Sequence, residues 1–210
     1  MKQFPNKEGL RVLDIGCGNG ALLRELSPRI ENGIGVDVSE QLINQAKKQN
    51  ANTDNLAFKT IDGPELPFEA DSFDVVVSLL SFRYLDWDPM MLEIERVLKS
   101  DGKLIIVDMV TAPVRLKEFP AFIRGKFKHY TDRLSNPAFH QKLGKLVSDP
   151  RWSTMLKYNP IRSQHEMKWY LESRFPGRKV KVINVGWHSR ILAFDSINMK
   201  DINNISLTYP

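Results

Sequence analysis

A short apolar segment that runs straight into three alternating glycines constrains this chain more than any other feature. Arg11-Val-Leu-Asp-Ile15 leads into Gly16-Cys-Gly-Asn-Gly20, after which Leu22, Leu23 and Leu26 return at helical spacing. The pattern predicts a strand, a tight turn and a helix. Glycine lets the backbone turn sharply and approach a ligand with no side chain in the way. The N–H groups of the helix start add donors for a carboxylate or phosphate oxygen. Tight turns without a ligand use the same residues, so the context has to decide.

That context is a repeated rhythm. Gly33-Ile-Gly-Val36 is a second strand ending at Asp37, whose carboxylate can accept from both hydroxyls of a ribose. The alternative is a helix-capping turn with Ser39, opening a helix that buries Leu42, Ile43 and Ala46. Leu56 to Lys59 forms a third strand, followed by Asp62-Gly63, which is either a second acceptor near an adenine amino group or an ordinary turn. Ser72 to Ser78 is apolar on successive positions, as a strand covered on both faces should be. A helix opening at Asp88-Pro89 and ending near Asp101-Gly102 presents Met90, Met91, Ile94, Val97 and Leu98 as one stripe, and Lys103 to Val107 is the fifth strand.

Strands and helices alternating in this way predict an α/β, three-layer sandwich whose mostly parallel sheet binds ligands beyond its carboxyl ends. Two late strands, Val180 to Ile183 and Arg190 to Phe194, are separated by a gap too short for a crossover helix. They must run antiparallel to each other, which makes a seven-strand mixed sheet with an antiparallel final strand. A length of 210 residues fits one domain, 1–210. Between 111 and 160 five prolines break the rhythm, so this stretch reads as a helical insert or lid, with one helix starting at Asn136-Pro137 and presenting Phe139, Leu143, Leu146 and Val147. A capping box at Ser163 and Glu166 restarts order, with Met167, Tyr170 and Leu171 behind it.

Composition narrows the function classes. No apolar run approaches the ~20 residues that cross a bilayer, and the first residues lack a secretory pattern, so no membrane insertion and a cytoplasmic address are expected. Cys17 is the lone cysteine, which excludes an internal disulfide. Net charge is uneven: residues 1–110 hold 12 Lys or Arg against 18 Asp or Glu, whereas residues 111–181 hold 16 against 5. That local excess of +11 suits an anionic substrate, an acidic carrier or nucleic acid, or solubility alone.

Val12-Leu-Asp-Ile-Gly-Cys-Gly-Asn-Gly20 resembles the first motif of class I S-adenosylmethionine-dependent methyltransferases, a Rossmann-like family, and in particular the small-molecule branch related to ubiquinone and menaquinone biosynthesis methyltransferases. The Leu66-Pro67-Phe68 turn, Phe73 to Ser78 and Glu93 to Lys103 continue the likeness, which covers roughly residues 10–110. The resemblance implies S-adenosyl-L-methionine as cofactor. It implies Asp14 and the loop of Gly16, Cys17, Gly18 and Gly20 at the methionine part, Asp37 at the ribose and Asp62 with Gly63 at the adenine. Ser78, at the end of the fourth strand, is a further candidate for the cofactor site. Cys17 itself reads as a small packing residue. Asp14 would be costly to bury unpaired, so it either orders the loop or meets the cofactor's amino group.

Methyl transfer from a sulfonium requires an aligned acceptor and, for some acceptors, removal of a proton. Arg83 and Tyr84 follow the fourth strand and could orient a carboxylate or phenolate. In several relatives a histidine stands at the position matching Arg83. Asp108, at the end of the fifth strand, either faces the pocket or closes the loop. His129 and Tyr130 form the candidate acid/base pair because their segment is read as a cover over the active site. With His140, His165 and His188 they give no converging ligand set, so no metal site is expected. Ser78 to Tyr84 lacks the Asp/Asn-Pro-Pro-aromatic signature of amino-directed nucleic-acid methyltransferases. A small-molecule acceptor is therefore preferred to nucleic acid. Trp152, Tyr158, Trp169 and Trp187 interspersed with Arg151, Lys157, Arg162, Lys168 and Arg190 keep an RNA methyltransferase as the second reading. A regulatory protein that binds the cofactor without catalysis is the third. The sequence does not set an oligomeric state.

Overall fold

In the structure, a computed structural model, residues 9–135, 162–185 and 189–196 are described, with positions 137, 141, 148 and 150. Seven strands make one sheet: β1 (Arg11–Ile15), β2 (Asn32–Asp37), β3 (Leu56–Thr60), β4 (Phe73–Leu79), β5 (Leu98–Thr111), β6 (Lys181–Val185) and β7 (Ser189–Asp195). Their order is β3-β2-β1-β4-β5-β7-β6. The first five pair in parallel, and β7 runs antiparallel to both β5 and β6, as the short connection between the last two strands requires.

Period-two alternation divides the core into two layers. Leu13, Ile15, Val76, Leu104 and Ile106 face one side of the sheet, whereas Val12, Val75, Val77 and Ile105 face the other. The first side is covered by α3 (Trp87–Val97), through Met90, Met91 and Ile94, and by α5 (Gln164–Arg174), through Met167 and Leu171. The second is covered by α1 (Ala21–Leu26) and α2 (Glu40–Gln49), through Leu23, Leu26, Ile43 and Ala46. A further helix, α4 (Phe119–Ser135), packs against β6 and carries Pro120 in its first turn, where a missing N–H costs nothing.

Helix starts follow the capping chemistry. The Ser39 hydroxyl accepts from Leu42 N, and the Ser163 hydroxyl accepts from Glu166 N. The reciprocal half of the second box is replaced, because Glu166 pairs with Arg162 instead. Leu42 is exposed, so the buried face of α2 rests on Ile43 and Ala46. The helix expected to run to Asp101-Gly102 ends at Val97, and the chain enters β5 directly. Asp101-Gly102 falls instead where the β4 pairing jumps from Phe73 opposite Leu98 to Val75 opposite Lys103, so the extra residues bulge out of the ladder. The helix expected from Asn136-Pro137 lies outside the described residues. Among the described residues no helix is long and apolar enough to cross a membrane.

Gly35 fixes how closely β2 approaches the glycine loop. A Cβ there would stand 2.7 Å from Cys17 Sγ and 2.8 Å from Phe58 Cδ1. Gly35→Ala is expected to cost about 1–3 kcal/mol in urea unfolding through overpacking. Adding Cys17→Ala should recover part of that loss by removing Sγ, leaving the contacts to Phe58 and to the Cβ of residue 17 at 2.9 Å. Additive losses in the double variant would show that Cys17 is not the neighbour that matters.

Candidate active site

The carboxyl ends of β1, β2, β3 and β4 meet around the glycine loop. Gly16 N and Cys17 N both donate to the Val36 carbonyl, at 2.8 and 3.0 Å, and Gly20 N donates to Cys17 O at 3.0 Å. Asp37 completes the brace: one carboxylate oxygen accepts from Gly18 N and the other from Ser39 N, each at 2.9 Å. Asp37 thus takes part in the turn at Ser39 and also ties that turn to the loop. Four of the five loop N–H groups are engaged within the protein, so the loop is a fixed rim more than an open anion cradle. Gly16 has φ +74°, and a Cβ there would collide with the Ser81 side chain. Gly18 has φ +55°, and a Cβ there would meet nothing within 4 Å, so its outer side is open space.

Asp14 lies behind the loop in β1, 2% exposed, and its Oδ1 has no hydrogen-bond partner among the described residues. Burial, and after it the neighbouring Asp37 carboxylate, pushes the Asp14 carboxyl up to about 7. A buried acceptor with no donor is costly unless something cationic or hydrogen-bonding completes it. The same burial, followed by Asp14 and Asp37, drives the Cys17 thiol upward, which removes it as a nucleophile; its sulfur packs toward Gly35 and Phe58.

Ser78, at the end of β4, is fully buried and donates to Ile15 O at 3.2 Å. Ser81 converges on the same carbonyl at 2.8 Å and lies 3.0 Å from Ser78 Oγ. Sequence reasoning missed Ser81, for which spacing gave no signal. It also missed Leu80, which adopts a left-handed backbone, φ +60°, while its N–H bonds to Val107 O. A branched residue held there marks local strain of the kind found at functional turns. Leu79 and Leu80 are both partly exposed and give the end of β4 an apolar lip. Asp62 is exposed just past β3, and Ile61 N donates to Asp37 O, which keeps the ends of β2 and β3 together. Gly63 follows with φ +101°.

Arg83 and Asp108 are brought together at the ends of β4 and β5. Arg83 Nη1 pairs with Asp108 Oδ1, and Arg83 N and Met109 N both donate to the same carboxylate at 2.7 Å. Arg83 Nη2 donates to Tyr84 Oη at 2.9 Å, with the guanidinium over the Tyr84 ring. Arg83 is buried, so the group it presents outward is Tyr84, 40% exposed. Tyr130 is on the exposed face of α4 and takes no part in the glycine loop's hydrogen bonds, and the His129 side chain lies outside the described residues. Of the aromatic and basic set, Arg162 lies over Trp87 and pairs with Glu166, Arg190 is buried against Glu118, and Trp169 is exposed beside Lys168. Trp152, Tyr158, Trp187, Arg151 and Lys157 lie outside the described residues, as do His140 and His188. No group of three or more metal-ligating side chains occurs among the described residues.

The parallel five strands extended by an antiparallel pair, with a braced glycine loop after β1, define the class I S-adenosylmethionine-dependent methyltransferase fold. Residues 13–106 match the model of the methyltransferase domain family. The chain is 31% identical over 168 residues to YcgJ of Bacillus subtilis (strain 168), an uncharacterized methyltransferase, covering 79% of this chain and 62% of that one. The matched part is thus less than two thirds of that relative's length. A demethylmenaquinone methyltransferase of Staphylococcus aureus (strain MRSA252) is 26% identical over 190 residues, covering 89% of this chain and 76% of its own. In structure, a SAM-dependent methyltransferase from Aquifex aeolicus superposes with a TM-score of 0.60 at 21% identity, covering 93% of this chain and 87% of that one.

Two outcomes follow from this geometry. The Asp14 carboxyl titrates at about 7 in the fold against 3.8 when free, so the folded state holds that proton more tightly than the unfolded state. Its stabilising contribution is complete below pH 3.8 and is lost as pH rises through about 7. It is worth up to roughly 4 kcal/mol. Urea unfolding of ligand-free protein across that window should show wild type losing stability relative to Asp14→Asn; parallel curves would refute the raised carboxyl. Arg83→Ala leaves Asp108 buried without its guanidinium and should cost about 3–5 kcal/mol in the same assay.

Proposed function

We propose that this chain transfers the methyl group of S-adenosylmethionine to a small-molecule acceptor that carries negative charge. The observation that carries the donor half is Asp14, a buried carboxyl with an unfilled oxygen behind a braced glycine loop. An ammonium group at that oxygen would supply the missing donor and favour the ionised carboxylate. The open side of Gly18 leaves room for the rest of the methionine moiety. Asp37 keeps acceptor capacity beyond its bonds to Gly18 and Ser39, which suits ribose hydroxyls, and Asp62 stands next along the rim for the adenine amino group. When bound, the cofactor supplies an activated methyl on a sulfonium. The protein's own work is then orientation: Leu79 and Leu80 offer an apolar wall, and Tyr84, held by Arg83, offers a hydroxyl toward the acceptor.

The acceptor half rests on a cavity of about 510 Å³ beyond the carboxyl end of β5, lined by Thr111, Arg115, His165, Lys168, Trp169 and Arg190 among others. Its two acids are paired, Glu118 with Arg190 and Glu172 with Lys168 and Lys179, and with Arg115 the lining keeps a positive excess that favours an anion. The demethylmenaquinone methyltransferase relative has a small-molecule acceptor in its name, which supports a small molecule over RNA. The segment from 111 to 160, of which α4 is the described helix, would act as the cover that selects the acceptor; of its candidate acid/base pair only His129 is carried forward, because Tyr130 stands on the exposed side of α4.

Asp62→Ala is the clean donor-site test, because Asp62 is exposed and braces nothing in the loop. Calorimetry should show S-adenosylhomocysteine binding weakened by roughly tenfold or more at unchanged melting temperature. Asp37→Ala should weaken it further and soften the loop as well. Labelled methyl transfer from S-adenosylmethionine should appear in an anionic metabolite fraction and not in total RNA. Transfer to RNA alone would reverse the acceptor assignment while leaving the donor site intact.

A further inference from the structure

The helix α4 exposes a row of large apolar side chains that the donor site does not use. Phe119, Ile123, Phe127, Tyr130 and Leu134 are each more than half exposed, and Leu116, just ahead of the helix, is 95% exposed. Their spacing of three and four residues puts them on one helical stripe, which at 1.5 Å per residue runs about 22 Å. The opposite consideration, that this stripe is simply the buried face of an amphipathic helix, fails on the contacts. Phe122 is the buried aromatic of α4, and Gly125 is the position that comes close to Asn184 and Val185 of β6. The helix therefore packs on the sheet edge through one face and holds the longer apolar row beside it.

The charges around the row are of one sign. Residues 119–135 include four Lys or Arg and a single Asp. At 100° per residue, Arg124 flanks the row on one side and Lys126 and Arg133 flank it on the other, all three exposed. Glu118, the acid nearest the helix start, is already held by Arg190 and the Arg115 N–H. An apolar row between cationic borders is the pattern of a helix lying in the plane of a lipid interface, with the row among acyl chains and the cations at headgroups. A second copy of the chain fits less well. A two-fold pairing of α4 with itself would bring the same cationic borders face to face.

We propose that α4 docks this protein onto an anionic lipid surface through the row from Leu116 to Leu134. The docking does not depend on which acceptor is methylated. It places the cavity beyond β5, whose rim includes Pro113, Arg115 and Glu118 immediately before α4, next to the lipid headgroups.

The test is co-sedimentation of the full chain with vesicles of phosphatidylcholine alone and of phosphatidylcholine mixed with phosphatidylglycerol, each at low and high salt. Binding is expected to the mixed vesicles, weakened by salt and by omission of the anionic lipid. Ile123→Ser with Phe127→Ser should reduce vesicle partition by about tenfold or more, and Arg124→Glu with Arg133→Glu should do the same by a separate route. These side chains are exposed, so both variants should keep the wild-type circular dichroism spectrum and bind S-adenosylhomocysteine as wild type does. Retained cofactor binding separates failure of docking from failure of the methyltransferase reading. Absence of binding to mixed vesicles overturns the proposal, as does equal binding to neutral and anionic vesicles. Wild-type binding by both variants overturns it too. A concentration-dependent dimer that the Phe127 variant abolishes, without vesicle binding, assigns the row to a second copy instead.

Discussion

The Val36 carbonyl accepts two N–H groups from the glycine loop, and the next residue, Asp37, accepts a third. This three-bond latch between the end of β2 and the turn after β1 sets the geometry of everything around it. It draws the loop down until Cys17 packs into the gap left by Gly35, and it presses Gly16 against Ser81 at the end of β4. Asp14 is sealed behind it. A net hydrogen bond contributes only about 1 kcal/mol, so the latch matters less for stability than for position. It converts a flexible glycine run into a rim of fixed shape. The cost of sealing Asp14 is borne by its proton, since the carboxyl rises to about 7 instead of remaining charged in the core.

The same economy recurs on the other side of the sheet centre. Arg83 looks in sequence like a free cation offered to an acceptor, but the fold closes it on Asp108 and exposes Tyr84 in its place. A buried pair of this kind need not add net stability against an apolar alternative. What it adds here is direction: the guanidinium is fixed by a carboxylate that also receives the Arg83 and Met109 N–H groups, and the remaining nitrogen holds the phenol. Position after the fourth strand could be read from the chain. Which of two neighbouring polar side chains faces outward could not, because Asp108 is 25 residues away and its orientation depends on the twist of β5.

The succession of strands along the chain and the glycine turn after β1 were legible for a local reason. Each strand, glycine turn and acidic residue there is specified within a few positions, and period-two or helical spacing carries the pattern. Long-range pairings were illegible even where both partners had been noticed. The Leu66-Pro67-Phe68 turn and the run from Glu93 to Arg96 each stood out, yet the sequence does not show that they lock together. Leu66 N donates to Glu93, while Arg96 donates to the carbonyls of Leu66 and Phe68. The Arg96 hydrogen bonds hold the Glu93 carboxyl down at about 2. The Asp101-Gly102 pair misled for the related reason that a bulge and a helix stop use the same residues. Only the pairing partner, Val75 opposite Lys103, distinguishes them.

The uneven charge of the chain becomes intelligible once its parts have places. The acidic first half supplies the carboxylates that brace the loop and close its turns, where Asp14, Asp37, Asp74 and Asp108 are each engaged or enclosed. Among the described residues, the basic second half includes two distinct populations. Arg174, Arg178 and Arg190 are tied to Glu95, Asp195 and Glu118, and so serve the packing of α5 and β7 on the sheet. Arg124, Lys126 and Arg133 instead stand out from α4 beside an apolar row. Net charge summed over the segment merges these two roles and cannot tell an ion pair that seats a helix from a cation that meets a partner. Burial separates them. It is therefore the exposed cations of α4, and not the total of +11, that bear on what the second half of the chain meets.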